Sequence, residues 1–73
     1  MKFPSREIIQ SLRETYPEGT RITLVQMDDP YTKLQPGDQG TVEFVDDAGG
    51  IHIHWDNGSS LAAIHGIDRI RKI

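Results

Sequence analysis

The chain contains no cysteine. That excludes a disulfide framework, a thiolate metal site and a cysteine nucleophile, and it fits a reducing compartment. No apolar run approaches the roughly 18 residues that cross a bilayer, and Met1-Lys2-Phe3-Pro4 does not open a secretion signal. A cytoplasmic setting without a membrane partner is therefore expected. Positive charge is also scarce. The 8 Lys and Arg face 11 Asp and Glu, for a formal net charge of −3. That balance disfavours a non-specific grip on phosphate backbones. Internal repeats and low-complexity tracts are missing, and so is a phosphate-cradling glycine loop, because Gly49-Gly50 leads into no helix. Ser59 and Ser60 follow a turn and lack the strand–elbow–helix context of a nucleophile. Neither a cofactor nor a catalytic set is expected.

What is there suffices for one small domain. The 73 residues leave no room for a second, and 36% are apolar before 7 glycines are counted. A domain this small hides only about 60% of its unfolded surface, so its stability is modest unless it pairs with another chain. A homo-oligomer stays open on that ground.

The pattern along the chain predicts a short helix followed by a five-stranded SH3-like barrel, a mainly β fold. Residues 1–18 form the helix and linker, and residues 19–73 the barrel. Ser5 is a helix cap and Glu7 favours the first turn. Ile8, Ile9 and Leu12 form an apolar stripe, and Pro17 with Gly19 stops the helix after Thr15 or Tyr16. That stripe must rest on one end of the barrel or on a second chain. From Thr20 the period becomes two. Ile22 and Leu24 mark the first strand. Residues 27–38 form a long loop broken by Pro30, Pro36 and Gly37. Val42 and Phe44 are expected on one face of a second strand over residues 40–45. Ile51, Ile53 and Trp55 mark the third, and their alternation favours a buried Trp55. Asp56-Asn57-Gly58-Ser59 predicts a tight hairpin, with Asn-Gly supplying positive φ angles. Residues 60–64 and 69–73 are the last two strands.

Two resemblances follow from these residues. Gly37-Asp38-Gln39-Gly40-Thr41-Val42 followed by Gly50-Ile51-His52-Ile53-His54-Trp55 resembles the Gly-x-x-Gly-x-Val hairpins of KOW-type and other SH3-like barrels. Met27-Asp28-Asp29-Pro30-Tyr31, Pro36-Gly37, Trp55-Asp56-Asn57-Gly58-Ser59-Ser60-Leu61 and Asp68-Arg69-Ile70-Arg71-Lys72 together resemble a small bacterial and phage family of unknown function. The resemblance covers about residues 16–73. It implies the fold and a bacterial or mobile-element origin, and no activity.

Three surfaces are candidates for function. The first is the long loop, where Asp28, Asp29 and Tyr31 would stand near the turn carrying Asp46 and Asp47. An acidic rim around an aromatic ring, with Trp55 as a possible neighbour, suits a basic or proline-containing peptide. Weighed against it is the plainer reading that Asp28 and Asp29 cap the loop backbone, Tyr31 packs beneath it and Trp55 is core. The second is a basic patch of Arg69, Arg71 and Lys72 with Arg21 beside it, which would serve as a nucleic-acid accessory site. Few aromatics accompany it, and a charged edge strand that resists aggregation is the weightier account. The third is His52-x-His54-x-Asp56, whose i, i+2, i+4 spacing on a strand puts two imidazoles and a carboxylate on one face, as a metal needs. That face points to solvent, Asp56 is expected to bond the backbone of its turn, and no metal is expected. His65 reads as a loop residue. The leading expectation is a non-catalytic module that binds a protein or peptide.

Overall fold

The computed structural model describes residues 4–28 and 32–73. Helix α1 spans Arg6–Thr15, with Ser5 as its N-cap; the Ser5 side-chain oxygen accepts from the Ile8 N–H at 3.3 Å. Ile9 and Leu12 are buried and Tyr16 packs against the same core, which is an i, i+3, i+7 face. Ile8 lies outside this face and is exposed, contrary to the expected stripe. In the last turn Arg13 donates to the Val45 carbonyl oxygen through Nε at 3.2 Å and Nη2 at 3.1 Å. The helix therefore rests on its own sheet, with no second chain required.

The sheet is antiparallel, with strands β1 Arg21–Gln26, β2 Gln39–Val45, β3 Gly50–Trp55, β4 Ala63–Ile64 and β5 Arg69–Lys72. Their order is β4-β3-β2-β1-β5. No hydrogen-bonded ladder joins β4 to β5, so the expected barrel is not closed by hydrogen bonds. The fourth strand is two residues long, where residues 60–64 were expected. Ile22, Leu24, Val42, Ile53 and Trp55 are the largest fully buried side chains. Burying each stabilises by about 1.5–3 kcal/mol before chain entropy is subtracted. Trp55 is core, and its indole N–H donates to the Leu61 carbonyl oxygen at 2.7 Å.

Two bulges break the alternation. Val42 pairs with Ile53 and Phe44 pairs with His52, so Glu43 is the extra residue on β2. One extra residue exchanges inside for outside. Val45 consequently enters the core, while Phe44 turns outward and is 54% exposed, where it was expected beside Val42. The second bulge lies between Leu24 and Gln26 on β1, and Val25 there is 43% exposed.

The turn after β3 also differs from expectation. No non-glycine described residue has positive φ, so Asn57 does not, and Gly58 alone takes φ +92°. The Gly58 N–H donates to the Trp55 carbonyl at 2.9 Å, and the Trp55 N–H to that of Ser59 at 2.9 Å. This is a three-residue loop ending in a left-handed glycine, the alternative to the two-residue Asn-Gly turn. The β2–β3 turn repeats it: the Gly49 N–H donates to the Asp46 carbonyl, and the Asp46 N–H to that of Gly50. At Gly40 the constraint is space. A Cβ there would lie 2.6 Å from the Ile53 side chain, 3.0 Å from the His54 carbonyl oxygen and 3.1 Å from the Trp55 Cα.

Candidate functional site

The expected acidic residues have different surroundings. Asp46 is held within its own turn. Its Oδ1 accepts from the Ala48 N–H at 2.9 Å and the Gly50 N–H at 2.8 Å, and its Oδ2 lies 2.8 Å from His52 Nε2. The His52 hydrogen bond, then those of the Gly50 and Ala48 amides, hold the Asp46 carboxyl below its usual range. Asp47 forms a 2.7 Å ion pair with Arg13 of α1. Asp28 is exposed at the end of β1, and its N–H donates to Asp68 Oδ1 at 2.9 Å. Asp29 and Tyr31 lie outside the described residues.

The basic residues are likewise divided. Arg21 grips Asp56 with both terminal nitrogens, at 2.8 and 2.7 Å, and also reaches Thr41 and Gln39. Hydrogen bonding within this fork holds the Asp56 carboxyl low and raises the Arg21 guanidinium. Asp56 therefore bonds Arg21 and not its turn backbone, which Asn57 serves by accepting from the Ser59 N–H at 2.9 Å. On β5, Arg71 stands opposite Thr23, Lys72 opposite Ile22 and Arg69 opposite Gln26.

The His52, His54 and Asp56 trio is drawn to separate partners. His52 bonds Asp46 and stacks on Phe44, with ring centroids 4.2 Å apart and planes 9° from parallel. Asp56 is taken by Arg21, and His54 is exposed opposite Thr41. Among the described residues no group of three or more His, Cys, Asp or Glu is placed to hold a metal. The His65 N–H donates to the Gly49 carbonyl oxygen.

One concave surface joins an expected residue to several unexpected ones. A groove of about 360 Å³ is lined by Met27 and Asp28 at the end of β1, and by Leu61, Ile64, Ile67 and Asp68 around β4. Leu61 is 37%, Ile64 39% and Ile67 57% exposed, an apolar wall open to solvent. Among the described residues, both ionisable groups lining it are acidic. Asp68 sets its shape: Oδ1 accepts from the Asp28 N–H and Oδ2 from the Ile64 N–H, each at 2.9 Å. The Leu61 carbonyl oxygen of its wall is held by the indole N–H of the buried Trp55. Such a surface suits an apolar side chain with a cation beside it.

Leu61, Ile64, Ile67 and Asp68 were not anticipated. The available signal is a trio of large apolar residues three apart in a segment whose Gly66 and short strand rule out a helix. Side chains so spaced outside a helix, with no strand alternation, have no regular element to bury them.

No helix among the described residues is long and apolar enough to cross a membrane. No curated protein and no solved structure matches the chain. A family model does, over residues 5–73, the whole of the helix and sheet described above. The chain belongs to that family, Domain of unknown function (DUF4314).

Proposed function

We propose that this protein is a non-catalytic binding module that takes a short basic and apolar segment of a partner protein in the groove between Asp28, Asp68 and the Leu61–Ile64–Ile67 wall. One observation carries the reading: an exposed apolar groove whose only ionisable lining residues, among those described, are two aspartates. An apolar side chain entering it leaves water, which contributes about 1.5–3 kcal/mol when burial is complete. A lysine or arginine beside it gains from the two carboxylates and is steered toward them from a distance. Asp28, the described member of the expected acidic loop, lines this groove. In this proposal the sheet is read as an SH3-like barrel, which the strand order supports, and a bacterial or phage cytoplasm is its proposed setting.

The basic patch gains less support. Arg21 is committed to Asp56, which leaves the three cations of β5 without the fourth.

Selection of a displayed random decapeptide library against the full chain tests the proposal. The expected result is enrichment of peptides with Lys or Arg near a large apolar residue, lost when the bait is Ile67→Asp or Asp28→Lys. Equal enrichment on wild type and on Ile67→Asp would overturn it. Ile67 is more than half exposed, so its substitution leaves the core intact.

A further inference from the structure

The groove does not end at Ile64. Ile64 and Asp68 also line a second cleft, of about 430 Å³. Its walls are Leu12 of α1, Tyr16 at the C-cap of α1, and Val25 and Ile70 of β1 and β5. Two features of the backbone open it. The β4 and β5 strands are not zipped together, and Val25, which points outward by the same alternation that buries Ile22 and Leu24, stands at the β1 bulge. The two hollows therefore flank one side chain, Ile64, and share one carboxylate, Asp68.

Resting on the binding reading above, we infer that the partner is an extended segment with two apolar anchors, one on each side of Ile64, and a lysine or arginine between them that faces Asp68. An extended partner segment sets the spacing that the inference expects. Side chains on one face of an extended chain recur at every second residue, and residues i and i+4 are about 13 Å apart. Two same-face anchors with a same-face cation between them give apolar-x-Lys/Arg-x-apolar. The carboxylate can take that cation. Its two oxygens each accept one main-chain N–H, which leaves acceptor capacity on both. Beside the Tyr16 phenol, the second cleft carries His65, Arg69 and the same Asp68, so negative charge is concentrated at the shared point and on the Asp28 side. That places the cation at the centre and fixes the first anchor against Ile67.

The same decapeptide library distinguishes the outcomes, followed by calorimetry of an enriched peptide against the full chain. The inference expects two enriched apolar positions four apart with Lys or Arg midway. Serine at either anchor should weaken binding about tenfold, the scale of one part-buried aliphatic side chain. Against the bait Val25→Lys, the second anchor should lose its preference while the first keeps it. Enrichment of one apolar position beside a cation, with the fourth position random, would overturn the two-anchor inference and leave the groove standing. No enrichment over the Ile67→Asp bait would overturn both. The serine substitutions are made in the peptide and read against the wild-type chain, so that arm does not depend on a protein variant folding.

Discussion

The Asp68 carboxylate accepts the main-chain N–H of Asp28, forty residues away in the chain, at 2.9 Å. Its other oxygen holds the N–H of Ile64. Asp68 thus joins the end of β1 to the edge of β4, where no ladder connects β4 to β5. The same bonds occupy an edge-strand N–H that would otherwise be free to pair with another chain.

Asp68→Ala should therefore destabilise the fold by about 1–3 kcal/mol, since two N–H groups lose their acceptor. Asp68→Asn should cost less, because its single carbonyl oxygen still serves one of them. Denaturant unfolding checks the order. Equal stability of wild type and Asp68→Ala would remove the clasp from the account.

The β2 bulge makes an unusual ranking. By plain alternation Phe44 is core and Val45 surface. Here Val45→Ala should cost about 2 kcal/mol, for two methyl groups and the space they leave. Phe44→Ala loses a cross-strand stack on His52 and should cost about 0.5–1 kcal/mol. A larger loss at Phe44 than at Val45 would contradict the register.

Gly40→Ala should be destabilised by about 1–3 kcal/mol, because the new Cβ meets backbone atoms of β3 that cannot rotate away. Thermal melting of the variant measures this, and an unchanged midpoint would contradict the close approach of β2 to β3.

Acid should expose the Asp46–His52 pair. The Asp46 pKa is depressed in the folded protein, first by the His52 hydrogen bond and then by the Gly50 and Ala48 amides. A depressed carboxylate contributes stability that is present above its unfolded value, about 3.9, and is lost as pH falls through the lower folded value. Asp56 acts in the same direction through Arg21. Unfolding midpoints followed downward from pH 5 should therefore fall less steeply in Asp46→Asn than in wild type. Parallel acid limbs would show that the pair does not contribute.

Helix α1, β3 and the regular opening halves of β1 and β2 were legible because their periods are regular and the helix's caps are local. Ser5, Pro17 and Gly19 bound the helix, and Ile51, Ile53 and Trp55 alternate without interruption. The bulges at Glu43 and Val25 were not legible, since an inserted residue leaves no compositional mark and shows itself only in the pairing of two distant strands. Asp56 was read as a turn residue because its long-range partner, Arg21, is 35 positions away. At the candidate site only Asp28 was legible among the residues that the structure groups together. The remaining wall sits in a segment with neither period, and Asp68 gains its role from contacts with β4 and β1 that no local pattern encodes.

The most direct measurement of the central claim is a backbone-amide NMR titration of the full chain with a library-selected basic and apolar peptide. The account predicts that the largest shifts fall on Asp28, Leu61, Ile64, Ile67 and Asp68, with smaller ones at Val25. Shifts concentrated on Arg69, Arg71 and Lys72, or on His52 and His54, with the groove unmoved, would contradict it.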